Sequence, residues 1–197
     1  SGSGTNLQAI LDAIAARTLD ARVAVVVSNV AGAGALDRAR EAGVEGVVVD
    51  HKAFADRRAF DAAVVEVLGE RGVDVVVLAG FMRLVTDVLL GAYPMRVVNI
   101  HPALLPAFPG VHGPKQALDY GVRVAGCTVH FVDGGTDTGP IILQEAVPVL
   151  EADDEEALRL RILEREHELL PRALQLISQG RVRVEPVAGG RARVRVG

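Results

Sequence analysis

The residues best equipped for chemistry are an amide, an imidazole and a carboxylate. Asn99 and His101 close the apolar run at 97–101, and Asp137 lies in Thr136-Asp137-Thr138-Gly139-Pro140. Val97, Val98 and Ile100 read as a buried strand; side chains alternate faces along it, so Asn99 and His101 point the same way. Pro102 then takes the chain out of the ladder. A polar group inside such a strand costs about 1–3 kcal/mol unless it is paired. A lone histidine is usually a satisfied core residue, so the reading turns on Asp137. A carboxylate within reach of His101 would raise the imidazole pKa and favour the imidazolium, a donor to a developing oxyanion, with the Asn99 amide as a second donor. The trio suits acyl or formyl transfer. No G-x-S-x-G nucleophile elbow is present, so attack by the substrate's own amine is the economical scheme.

Other candidates compete with plainer readings. The loop Ser1-Gly2-Ser3-Gly4-Thr5-Asn6 would offer backbone N–H groups at a helix N-terminus, suited to a phosphate or simply to an ordinary capped turn. It lacks both the lysine of a Walker loop and the G-x-G-x-x-G spacing, which argues against a nucleoside triphosphate and a dinucleotide. His112 in the proline-rich loop is a candidate to line the site. His130 reads as structural, or as a residue that orders the site through a hydrogen bond. His51 reads as surface, and Glu166-His167 as a solvated helix face. No H-x-x-x-H or H-E-x-x-H pair supports a metal. Cys127, the single cysteine, reads as a small buried apolar residue.

The elements that must position these groups alternate. Leu7, Ile10, Leu11 and Ile14 form one helical face, with Thr5 and Gln8 as its capping box. Strands at 23–28, 47–49, 73–78 and 97–100 are separated by helices at about 36–42, 54–70 and 86–92. This is the pattern of a doubly wound, mostly parallel α/β sheet. Beyond the loop carrying Pro102, Pro106 and Pro109, a helix at 115–120 precedes strands at 126–132 and 141–150, which bring antiparallel pairing toward the C-terminus. Asp153 and Glu156 open a long helix that Pro171 should kink or divide. The tail 181–197 alternates Arg and Val around Gly189-Gly190, a surface hairpin. A strand is expected before the 1–6 loop, since such loops normally follow one.

The 197 residues fit one domain, residues 1–197, large enough to bury roughly 70% of the unfolded chain's surface. A mixed surface with a net charge of −4 gives no sign of a nucleic-acid partner. No run is apolar enough to suggest a signal peptide or a bilayer span, so a soluble cytoplasmic protein is expected.

Taken in order, Gly2-Ser3-Gly4-Thr5-Asn6-Leu7-Gln8-Ala9-Ile10, Leu78-Ala79-Gly80-Phe81-Met82-Arg83, Asn99-Ile100-His101-Pro102-Ala103-Leu104-Leu105-Pro106, Pro109-Gly110-Val111-His112 and Asp137-Thr138-Gly139-Pro140-Ile141-Ile142 closely resemble the phosphoribosylglycinamide formyltransferase family of folate-dependent formyltransferases. The resemblance implies a Rossmann-like formyltransferase fold. It also implies transfer of the formyl group of 10-formyltetrahydrofolate, as co-substrate, to the amine of glycinamide ribonucleotide in purine biosynthesis. No metal, nucleic acid or membrane is implied, and the chain would be a monomer or homodimer. By resemblance Asn99, His101 and Asp137 are catalytic; Gly4, Thr5 and Asn6 hold the ribonucleotide phosphate, and Glu166 meets its ribose end. Arg57, Met82, Arg83, Leu84 and Val85, with Asp133, Gly134, Gly135 and Thr136, would form the folate site. Gly113-Pro114 after His112 departs from the family pattern. The alternatives are a formyltetrahydrofolate hydrolase, with water as nucleophile, and a catalytically silent folate- or phosphate-binding module.

Overall fold

The computed structural model describes residues 3–81, 83–188 and 190–197. The chain divides into two compact units, Ser1–Val98 and Asn99–Gly197. No helix among the described residues is long and apolar enough to cross a membrane.

In the first unit helices and strands alternate: α1 (Thr5–Ala15), β1 (Val26–Ser28), α2 (Gly34–Glu41), β2 (Gly46–Val48), α3 (Arg57–Glu70), β3 (Val76–Leu78) and α4 (Asp87–Ala92). β1 and β2 pair in parallel, Val26 opposite Gly46. The ladder is three residues long because β2 offers only three partners, so residues 23–25 of the predicted strand fall outside β1. α1 starts on Gly4 in the left-handed region, with no side-chain cap. The predicted capping box does not form. Thr5 is already helical, and the Gln8 amide donates to Asp12 Oδ1 (2.8 Å) while its oxygen accepts from Arg38 (3.0 Å). Asp56 caps α3 and Thr86 caps α4, each through a side-chain oxygen. The core gathers Ile10, Ala39, Phe60, Leu68, Val76 and Leu89.

β4 (Val97–His101) begins on the two buried valines of the first unit, beside β3, and continues into the second. There follow α5 (Gly113–Tyr120), β5 (Val124–Phe131), β6 (Ile141–Pro148), α6 (Glu155–Ser178), β7 (Val182–Glu185) and β8 (Arg193–Val196). β5 lies between β4 and β6 and pairs antiparallel with β6, as the sequence predicts. The register runs from Val124 opposite Pro148 to Val129 opposite Leu143, then slips so that His130 faces Ile141. α6 covers the unit with Leu158, Ile162 and Leu170, all essentially buried.

One expectation about α6 is corrected and a second is narrowed. Asp154, not Asp153, caps it, while Asp153 accepts from the Leu150 N–H (2.8 Å) and from Arg161. The helix also runs through Pro171 without dividing; Pro171 and its neighbours Leu169, Leu170 and Ala173 are buried, and their packing outweighs one lost backbone bond. β7 and β8 form the expected hairpin, Val182 opposite Val196, although Gly189 lies outside the described residues.

Candidate active site

The second unit brings the three predicted catalytic groups together and adds a fourth. Asn99 is half-buried and His101 is 4% exposed on the same face of β4. Asp137 arrives from the loop between β5 and β6. Its Oδ2 is 3.4 Å from His101 Nδ1, and its Oδ1 is 3.6 Å from His130 Nε2. The Asn99 amide donates to His130 Nε2 at 3.2 Å. Thus His130, read from sequence as structural or as a residue that orders the site through a hydrogen bond, contacts both the amide and the carboxylate. The register slip at Val129/His130 accompanies its placement: a β-bulge re-aims the side chain beside it, and bulges are common next to reactive sites.

The backbone around the cluster is bent to serve it. Phe108, at φ 53°, turns its carbonyl to accept from His101 Nε2 at 2.9 Å. A phenylalanine in the left-handed region carries about 1–3 kcal/mol of strain, and edge-on packing of its ring against Tyr120 at 5.9 Å helps hold it. Asp137 is itself left-handed, at φ 52°, a conformation Asp tolerates better than most residues. The Gly110 N–H donates to Asp137 Oδ2 at 2.7 Å, latching the proline-rich loop to the carboxylate. The start of that loop is pinned by Thr128, whose hydroxyl donates to Ala103 O (2.7 Å) and accepts from Leu105 N–H (3.0 Å) and Gln144 Nε2 (3.0 Å). Gly139 has no room for a side chain, because a Cβ there would collide with the Phe131 carbonyl.

These partners fix the proton positions. The Phe108 carbonyl needs a proton on His101 Nε2, so in the neutral ring the Nδ1 lone pair faces Asp137. His130 Nδ1 donates to the Phe131 carbonyl at 2.9 Å, and its Nε2 is shared between the Asn99 amide at 3.2 Å and Asp137 Oδ1 at 3.6 Å. From sequence, Asp137 is expected to raise the His101 pKa. Instead burial holds His101 below its ordinary value of 6.5; the Phe108 carbonyl and the Asp137 charge oppose this without overcoming it, and His130 adds to it. Burial would raise Asp137. The contact with His130, the Gly110 N–H and the neighbouring His101 outweigh that and hold its carboxyl below 3.8. The resting site is therefore a carboxylate beside a neutral imidazole. Its side chains differ in access: Asp137 is 14% exposed, against 4% for His101 and 2% for His130. A ligand entering this cluster meets Asn99 and Asp137, with the two rings behind them.

The remaining predicted residues fall into separate places. Gly4 sits against α2, where a Cβ would lie 2.7 Å from Ala35 Cα, and Arg38 Nε donates to Ser3 O at 3.0 Å. Gly4, Thr5 and Asn6 thus form the uncapped start of α1, with no acidic residue in its first turn. An uncapped helix start of this kind attracts anions. Ser1, Gly2 and Met82 lie outside the described residues. Arg57 is exposed at the start of α3; Arg83 stacks over the Phe60 ring at 5.5 Å, Leu84 is 54% exposed, and Val85 is half-buried.

In the second unit Asp133 Oδ1 accepts from Thr138 Oγ1 (2.6 Å) and Gly135 N–H (3.0 Å), so it shapes the loop whose Gly134, Gly135 and Thr136 are exposed. Glu166 is 7% exposed, which corrects its reading as a solvated residue; its charge, after burial itself, helps push the Cys127 thiol up to about 12. His112 is exposed at the start of α5, 3.9 Å from Glu155, and His51 accepts from Asn29 at 3.1 Å. The Gly113-Pro114 departure has a steric reason: a Cβ on Gly113 would lie 2.9 Å from the Pro102 carbonyl, and Pro114 suits a first helical turn. Among the described residues, no group of three or more His, Cys, Asp or Glu side chains is placed to hold a metal ion.

Known proteins carry the same organisation. The family model described as formyl transferase matches residues 1–174. The crystal structure of glycinamide ribonucleotide transformylase 1 from Symbiobacterium toebii is 57% identical, with a TM-score of 0.95 covering 100% of this chain and 90% of that one. Phosphoribosylglycinamide formyltransferase of Escherichia coli (strain K12) is 41% identical over 184 residues, 93% of this chain and 87% of that protein. The trifunctional purine biosynthetic protein adenosine-3 of Drosophila melanogaster is 47% identical over 188 residues, 94% of this chain, which spans only 14% of that protein's length. With a family model spanning most of its length, and with an amide, two imidazoles and a carboxylate converging at the end of β4, the chain belongs to the formyl transferase family.

Proposed function

We propose that the chain transfers the formyl group of 10-formyltetrahydrofolate to the amino group of glycinamide ribonucleotide, releasing tetrahydrofolate. The observation that carries this reading is the Asp137 carboxylate set between His101 Nδ1 and His130 Nε2, with the Asn99 amide alongside. The neutral amine attacks the formyl carbon and the carbonyl electrons move to oxygen. Asn99, with one N–H engaged by His130, turns its other N–H to that oxyanion. The new ammonium loses its proton to Asp137, whose partner His101 can take it on Nδ1. The same proton goes to the folate nitrogen as the carbon–nitrogen bond breaks. His101 thus acts first as a proton acceptor, since its resting ring is neutral.

The uncapped start of α1 at Gly4, Thr5 and Asn6 would take the ribonucleotide phosphate, and Glu166 the ribose end. Residues 82–85, with Arg57 and the 133–136 loop, would take the folate. The names of the Symbiobacterium toebii and Escherichia coli relatives support this choice of acceptor. The test is incubation with 10-formyltetrahydrofolate, with and without glycinamide ribonucleotide. Release of tetrahydrofolate only with the amine is expected. Equal release without it would replace the transferase with a hydrolase, and no release in either case would leave a silent binding module.

A further inference from the structure

Successive residues of α3 tie down residues 83–87 of the same unit. The Asp61 carboxylate, 2% exposed, accepts both the backbone N–H (2.6 Å) and the hydroxyl (2.7 Å) of Thr86 on one oxygen, Oδ2. One residue earlier, the buried Phe60 ring lies under the Arg83 guanidinium at 5.5 Å and is itself braced edge-on by Phe54 at 5.8 Å. Arg58 reaches across to Asp87. Between the fixed points at Arg83 and Thr86, Leu84 is 54% exposed.

These ties exceed what α4 needs. Thr86 already caps that helix through its own hydroxyl, which accepts from the Val88 N–H at 3.4 Å. Burying a carboxylate is costly, and hydrogen bonds to charged groups are correspondingly strong. Such a bond, spent on a segment that holds an apolar side chain out in water, fits a backbone set in advance for a ligand with an apolar face.

We propose that Asp61 is a positioning residue for the formyl donor: through Thr86 it fixes residues 83–86 so that the pterin ring meets a preformed edge. The proposal rests on the assignment of this segment to the folate under Proposed function. On this basis Asp61 acts on affinity for the donor and leaves the chemical step to the second unit.

The test uses the full chain with Asp61→Asn, Thr86→Val and Thr86→Ser, reading tetrahydrofolate affinity by calorimetry, KM for each substrate, kcat and Tm. Thr86→Val should weaken tetrahydrofolate binding roughly tenfold, the loss of one hydrogen bond to a carboxylate, and Asp61→Asn, whose amide oxygen still accepts both bonds but without the charge, by a smaller factor. KM for the formyl donor should rise in step, while kcat and KM for the ribonucleotide stay within about twofold. Thr86→Ser, which keeps the hydroxyl, should bind as the wild type does. Unchanged tetrahydrofolate affinity in Thr86→Val, whatever its Tm, would overturn the proposal, as would a fall in kcat at unchanged KM. If Asp61→Asn does not fold, the Thr86 pair decides. A wild-type chain that does not bind tetrahydrofolate would refute the folate assignment itself, a result distinct from equal binding by wild type and variants.

Discussion

Replacing Asp137 with Asn separates the chemistry from the fold. The new side chain has the same shape, and its oxygen can still accept the Gly110 N–H that now bonds Oδ2 at 2.7 Å. What disappears is the negative charge 3.4 Å from His101 and the capacity to hold a proton between substrate and imidazole. Positioned acid–base groups contribute about 10²–10⁴ in rate, so kcat should fall roughly 10³-fold, about 4 kcal/mol of barrier. Stability should fall far less, by roughly 1–2 kcal/mol for a weakened hydrogen bond to a charged group. For a chain of this size that is about 2–8 °C in Tm.

The acid side of the stability curve should change too. A carboxyl held below 3.8 stabilises the fold above that pH and loses the contribution as pH falls through its folded value, so Asp137→Asn should flatten the loss there. The assay is amine-dependent tetrahydrofolate release, alongside thermal melts from pH 3 to pH 8. A variant within about tenfold of the wild-type kcat would refute the role given to Asp137.

Further outcomes are expected. Asn99→Ala removes an oxyanion donor and should lower kcat about 10²–10³-fold with a near-native melt; an unchanged kcat would place the oxyanion elsewhere. Thr128→Val deprives Leu105 N–H and Gln144 Nε2 of a buried acceptor and Ala103 O of its donor, and should cost about 1–3 kcal/mol in denaturant titration, with activity falling as the proline-rich loop loosens. A neutral resting His101 predicts an acid limb in kcat/KM: its folded pKa lies below 6.5, so activity should hold at neutral pH and decline only as acidification charges the ring. The same group stabilises the fold above 6.5 and loses that contribution as pH falls toward its folded value. Asp153, held to about 2 by the Arg161 guanidinium and the Leu150 N–H, adds stability above 3.8 that is lost as pH falls toward 2. Asp153→Asn should therefore shrink the melt's pH dependence across that window.

What the sequence disclosed depended on the range of the interaction involved. The strand ending in Asn99 and His101 could be read because burial and side-chain alternation are local properties of consecutive residues. Asp137 required a longer step, taken on chemistry alone: an imidazole in an apolar strand needs a partner, and a carboxylate in a Gly-rich loop can supply one. The α/β alternation and the antiparallel late strands were legible for the same local reasons.

His130 was legible only in part: a site-ordering hydrogen bond was one of its two readings, while its approach to Asp137 accompanies a register slip in β5–β6 that no periodicity reveals. The burial of Glu166 was not legible, because a charged helical stretch disguises it. The sign of the His101 shift is not legible either, because a sequence shows the neighbouring carboxylate but not the depth of burial, the larger cause. Thr5 and Gln8 have the spacing of a capping box, yet a left-handed Gly4 starts the helix and Arg38 claims the Gln8 oxygen.

The bond from the Gly110 amide to Asp137 makes this glycine a built-in spectroscopic gauge of the reacting carboxylate. Its proton resonance should move with the charge state of Asp137, and its exchange with solvent should quicken whenever the prolines around it swing away. A single nitrogen-15 signal thereby registers both the ionisation of the site and the order of the strand-to-helix connection that shelters it.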